Sequence, residues 1–179
     1  MSYSAKLKAG SSFPSINVSL MDGSTVELGK PQGDATWQAV FVYRGKHCPL
    51  CTRYLNQIEE FKQDFYDIGI DIIAVSADSI DRCEEHCENL NVSFPIGYGL
   101  TVEQMKTLGL YISEPRTDNE SPREFSEPGL FIVNEKGELQ VVDIANHPFT
   151  RPEIRVLVKG LAFIRSPENN YPIRGMLDY

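Results

Sequence analysis

The stretch from Trp37 to Ser76 limits the fold more than any other part of this chain. Trp37 to Tyr43 is a run bounded by polar residues that reads as a strand buried on both faces. From Cys51 the apolar residues Leu55, Ile58, Phe61, Phe65 and Ile68 recur at steps of three and four. That spacing predicts one face of a helix ending at Gly69. Ile70 to Ser76 then reads as a second buried strand. Asp78 or Ser79 is placed to cap a following helix whose stripe is Ile80, Cys83, Cys87 and Leu90.

The same patterns extend to both sides. Ile16 to Met21 and Thr25 to Leu28 read as a hairpin about Asp22-Gly23-Ser24, because an Asp-Gly step supplies the positive backbone angle a tight turn needs. Val92 to Ile96 is predicted as a short strand, and Thr101 with Gln104 as a capping box opening a helix to about Leu108. Residues 113–127 carry Pro, Asp, Glu, Ser and Arg without a period of two or 3.6, and are predicted as an exposed loop. Leu130 to Val133 and Leu139 to Ile144 form a hairpin about Glu135-Lys136-Gly137. A last helix shows Ile154, Leu157, Val158, Leu161 and Ile164 on one face. The order describes an α/β sandwich with a mixed sheet.

The 179 residues fit one domain, 1–179, with 167–179 as a C-terminal tail. Hydrophobic residues at 41% and charged residues at 23% are ordinary for a soluble globular chain. Met1 to Ser12 has no apolar run behind Lys6 and Lys8, and no stretch reaches membrane-spanning length, so the expected compartment is the cytoplasm. A net charge of -8 argues against nucleic acid, which asks for a cationic face.

In a reducing compartment a close cysteine pair binds metal or does redox work more often than it staples a fold. Cys48-Pro49-Leu50-Cys51 stands where a buried strand feeds a helix, so free backbone N–H groups and the positive end of the helix dipole face the sulfurs. Pro49 suits the first helical position. Arg44, Lys46, His47 and Arg53 flank the pair in sequence with no acid between them. At a pKa of ~8.5 only about 3% of a thiol is ionised at pH 7; a fall of ~2 raises that to about 75%. Two intervening residues also let the sulfurs join, so that one attacks and the other releases. Half a zinc site has the same spacing, and the rival reading is a zinc-binding or redox-sensing module without turnover.

These residues resemble the alkyl hydroperoxide reductase and thiol-specific antioxidant superfamily, and within it a peroxiredoxin-like branch whose active loop reads Arg-Gly-x-x-Cys-Pro-x-Cys. Here that loop is Arg44 to Cys51, and the resemblance runs from about Phe13 to Ile164. Val75-Ser76-Ala77-Asp78 looks like the close of the family's next strand, and Gly129 to Val133 with Gly137 like its late hairpin. The resemblance implies a thioredoxin-like fold, a central mixed sheet flanked by helices, with the N-terminal hairpin as an extension. Asn146 to Arg151 looks like the segment before the last helix, which makes Arg151 the arginine near the active cysteine; on the residues alone it equally caps that helix beside Pro152. Aligned on Cys51, Arg44 replaces the family's active-loop proline and Cys48 its threonine. The family's main arginine falls on Pro128. A second cysteine and a proline there are thioredoxin traits, and that proline is cis, so a cis Glu127–Pro128 bond is expected. Val42 stands where thioredoxins hold a buried acid.

The resemblance implies an enzyme that reduces hydroperoxides or protein disulfides. On a thioredoxin-like route an exposed Cys48 attacks and Cys51 resolves; on a peroxiredoxin-like route Cys51 attacks and Cys48 or Cys87 resolves. Cys87 matches the resolving position of atypical two-cysteine thiol peroxidases, whereas its stripe with Cys83 reads as core packing. His86 among Glu84, Glu85 and Glu88 reads as solvated, and His147 as a surface residue. Neither route needs a metal, flavin or nucleotide; both need a thioredoxin- or glutathione-type reductant. The sequence leaves open whether the chain forms a homodimer.

Overall fold

In the computed structural model, which describes residues 5–177, the chain opens with an antiparallel hairpin. Strands β1 (Asn17–Leu20) and β2 (Thr25–Glu27) pair with Val18 opposite Val26. Gly23 holds φ +82°, and Asp22 Oδ1 accepts from both the N–H and the hydroxyl of Ser24, as an Asx turn does. The chain continues through β3 (Trp37–Val42), α1 (Pro49–Glu60), α2 (Lys62–Asp67), β4 (Ile70–Val75), α3 (Ile80–Cys87), β5 (Ile96–Tyr98) and α4 (Val102–Thr107). It closes with β6 (Ile112–Ser113), β7 (Phe125–Ser126), β8 (Gly129–Val133), β9 (Leu139–Ile144) and α5 (Ile154–Arg165).

A mixed seven-stranded sheet runs in the order β2-β1-β5-β4-β3-β8-β9. Strands β3, β4 and β5 are parallel; β8 and β1 flank them antiparallel. Every residue of β3 and β4 is buried, because alternate side chains serve two cores. Ala39, Phe41, Ile70 and Ile72 meet Leu55, Ile58 and Phe65 of the first helices and Leu161 of α5. Val40, Val42, Ile73 and Val75 meet Met105 and Phe131 with Ile16 and Val18. Each such side chain contributes about 1.5–3 kcal/mol by leaving water. The polar exceptions are paired: Gln38 accepts Gly29 N–H at 2.6 Å and donates to Asp71 Oδ2 at 3.0 Å.

Three expectations need correction. The helix after Cys51 breaks at Phe61 (φ -107°, ψ 6°), whose N–H turns back to Ile58 O at 3.0 Å. A tightened final turn lets the apolar stripe change direction and stay on the sheet. The strand placed over Val92 to Ile96 pairs only from Ile96, since Pro95 has no N–H to give a ladder; its carbonyl accepts Ala74 N–H at 3.1 Å. Residues 113–127 are not simply an exposed loop. The tip from Arg116 to Asn119 is exposed, but the segment starts and ends in the β6–β7 pair and buries Ser121, Phe125, Ser126 and Glu127.

The Thr101–Gln104 capping box is present in both directions. Residues 10–12 pair with the start of β9, and beyond α5 the chain makes a 3-10 turn at Pro167–Asn169 and lays Tyr171 against Phe163 at 5.6 Å. Among the described residues no helix is long and apolar enough to cross a membrane.

Candidate active site at the head of the first helix

Strand β3 delivers the chain to the carboxyl end of the parallel strands, where Tyr43 N–H still bonds Val75 O at 3.1 Å. The turn that follows depends on Gly45, whose φ of +127° excludes most side chains. Lys46 N–H donates to Asp78 Oδ2 at 2.7 Å, and Cys48 N–H to Gly45 O at 3.1 Å. Cys48 is the N-cap of α1 and Pro49 its first helical residue. The Cys48 sulfur accepts the Cys51 N–H at 3.2 Å, and its carbonyl accepts Cys51 and Thr52 N–H. No acid lies in the first turn. The Cys51 N–H, shared between the Cys48 carbonyl and sulfur, and the positive end of the dipole therefore converge on one sulfur, the arrangement that favours a thiolate.

Cys48 and Cys51 are joined in a disulfide, with their Cα atoms 5.2 Å apart. Both lie in the core beside Tyr43 and Leu55, 2% and 0% exposed, so the expectation of an exposed Cys48 is corrected. Packing of the helix head against the sheet turns the sulfurs inward and leaves Pro49 and Leu50 outside.

The cationic surroundings read from the sequence are largely offset by acids from distant segments. Arg44 pairs with Glu127 at 3.2 Å and Glu120 at 3.6 Å, and Lys46 with Glu85. His47 contributes no charge at neutral pH, because burial and then the Arg44 cation push its pKa down to about 4. Arg53 stays exposed. Arg151 does reach the loop: Nη2 donates to Leu50 O at 2.9 Å, Nε to Pro148 O at 2.8 Å, and the guanidinium lies 4.1 Å from the Tyr54 ring centroid. Burial lowers its pKa to about 10, which leaves it cationic at neutral pH. Glu153, not Arg151, caps α5, accepting Arg155 and Val156 N–H.

Pro128 is buried and lines a small crevice with Tyr54, Asp143 and Arg151. No described peptide bond is cis, so the Glu127–Pro128 expectation is overturned. Glu127 N–H bonds Tyr111 O at 2.8 Å and Pro128 O accepts Ala145 N–H at 3.0 Å. Those bonds carry an extended chain straight from β7 into β8.

Cys83 is fully buried and not disulfide-bonded, and burial pushes its thiol up to about 12. Cys87 is also free and half-buried, with its pKa raised by burial. It lines a crevice with Met21, Leu90 and Phe94 on the hairpin side of α3. His86 is not solvated, as its acidic neighbours had implied; it is 1% exposed, with Nε2 2.8 Å from Thr52 Oγ1 and its ring 5.6 Å from Tyr43. Its step of three from Cys83 was the available signal. His147 is exposed and stacks on Phe149. Among the described residues no group of three or more His, Cys, Asp or Glu is arranged to hold a metal ion.

Several solved structures share this architecture. A peroxiredoxin-like protein from Aquifex aeolicus superposes with a TM-score of 0.72 at 19% identity, covering 89% of this chain and 88% of its own. A mutant of peroxiredoxin 6 from Arenicola marina gives 0.74 at 18%, covering 90% and 75%. AhpC of Mycobacterium tuberculosis gives 0.71 at 18%, covering 94% and 100%. At these identities the likeness establishes the fold. No curated protein matches the chain. The AhpC/TSA family model, however, matches residues 9–142, from ahead of the hairpin to within β9 and across the dithiol loop. On that match the chain belongs to the AhpC/TSA family and is a thiol oxidoreductase.

Proposed function

We propose that the chain is a thiol peroxidase in which Cys48 attacks and Cys51 resolves. The supporting observation is the Cys51 N–H directed at the Cys48 sulfur at the N-cap of α1. The Cys48 thiolate attacks one oxygen of a hydroperoxide, the O–O bond breaks, and the alcohol or water leaves with a proton, giving a sulfenic acid. The Cys51 thiol displaces water from that sulfur to form the disulfide, and two equivalents of an external thiol restore the pair. Arg151 holds the Leu50 carbonyl and keeps the loop docked on Pro148, and Pro128 closes the apolar wall behind it. The reductant is a thioredoxin- or glutathione-type thiol, the setting is a reducing cytoplasm, and the whole chain works as one redoxin domain with a tail. Cys87 remains a reserve thiol on α3.

Stopped-flow mixing of the reduced protein with hydrogen peroxide tests the assignment. Cys51→Ser should still consume one equivalent and accumulate a trappable sulfenic acid, whereas Cys48→Ser should consume none. The reverse pattern would make Cys51 the nucleophile. A wild type that ignores peroxide but reduces insulin would make the chain a disulfide reductase.

A further inference from the structure

The group that shapes the turn ahead of Cys48 comes from another part of the chain. Asp78 follows β4 and is 5% exposed. Ser79 takes the N-cap place of α3, which leaves the Asp78 carboxylate free to turn toward the loop. Its Oδ2 accepts Lys46 N–H at 2.7 Å, and its Oδ1 accepts Arg82 Nε at 3.0 Å. Its backbone is held too, with the N–H on Ser76 Oγ at 3.3 Å and the carbonyl on Gly99 N–H at 2.8 Å. A Cβ placed on Gly45 would lie 2.7 Å from Oδ2. The carboxylate thus occupies the space that a side chain at position 45 would need.

The geometry points to Asp78 as a positioning residue for the dithiol. It fixes the backbone of residues 45 and 46, and the Cys48 N–H that bonds Gly45 O carries that constraint to the head of α1. Asp78 acts through the Lys46 N–H and Arg82, not through the sulfurs. A negative charge close to a thiol opposes its ionisation, so the charge of Asp78 alone works against a thiolate. Arg82 offsets it, and Arg82 Nη2 also grips Glu120 O at 3.1 Å. Charge and shape therefore predict opposite outcomes when Asp78 is removed. The inference rests on Cys48 and Cys51 being the reacting pair, but not on which oxidant they meet.

Alkylation of the reduced protein by neutral iodoacetamide, followed against pH and mapped by peptide mass, reads the thiol directly. Asp78→Ala should slow modification of Cys48 about tenfold at pH 7 and move its titration midpoint up by about 1. Asp78→Asn keeps an oxygen for Lys46 N–H and should stay close to wild type. An equal or faster rate in Asp78→Ala with cooperative unfolding retained, or an Asp78→Asn as slow as Asp78→Ala, overturns the positioning role. If Asp78→Ala does not fold, Gly45→Ala decides: it drives a methyl into the same carboxylate, and a wild-type rate there also overturns the role. A wild type in which both thiols titrate normally ends the dithiol reading itself, which a reactive wild type with an unaffected Asp78→Ala does not.

Discussion

His47 precedes Cys48 with both ring nitrogens out of water and unpartnered, edge-on to Phe125 at 4.5 Å. Its pKa near 4 in the folded chain lies below the ordinary 6.5. As pH falls through 6.5 the unfolded chain takes up a proton that the folded chain refuses until about 4, so stability is lost across that window. His86, whose pKa burial also lowers, acts in the same direction. His47→Leu keeps an apolar contact with Phe125 and removes one of the two groups. Its urea midpoint should fall less between pH 6.5 and 4.5 than that of the wild type, and equal falls would contradict the depressed pKa. The bridged pair was legible at this scale because Cys48, Cys51 and the helix that receives them are contiguous in sequence, and the place of Arg151 beside their loop because the resemblance covers its segment. The partners Asp78, Glu85, Glu120 and Glu127 were not. They arrive through tertiary contacts from far along the chain, and no local period marks them.

Among the elements, α4 shows how a cap can do more than end a helix. The Thr101 hydroxyl accepts Gln104 N–H at 3.2 Å, the Gln104 side chain accepts Thr101 N–H at 2.9 Å, and its amide reaches Asn17 O at 3.0 Å. Thr101→Ala should cost about 1 kcal/mol in chemical denaturation with the dithiol chemistry unchanged. The Thr101–Gln104 box located this helix, unbroken apolar runs located both buried strands, and turn residues located the hairpins, because each of these signals is written within a few neighbouring residues. They did not locate the break at Phe61 or the late start of β5. Those depend on where a backbone N–H finds a partner, at Ile58 in one case and nowhere on Pro95 in the other. The cis expectation at Pro128 failed for the same kind of reason, since the bonds on both sides of that proline are set by β-structure distant in sequence.

Across the whole molecule, the sheet has two outer strands, and the chain handles them differently. Strand β2 spans only Thr25–Glu27. Strand β9 is paired at its start by residues 10–12, and the tail lines a crevice along Val141 and Val142. Met176 lies against Gly10, which joins the tail to the segment ahead of the hairpin on that side. A chain ending at Ser166 should lose roughly 1–2 kcal/mol of stability as the Tyr171 and Met176 contacts go. It should keep the wild-type alkylation rate of Cys48, because the tail sits at the opposite end of β3 from the cysteines. The burial of both bridged sulfurs carries a consequence for traffic with other thiols. On the proposed chemistry, a reducing thiol meets either bridged sulfur only after the turn at the head of α1 swings outward, so access joins intrinsic reducing strength in deciding which donors serve.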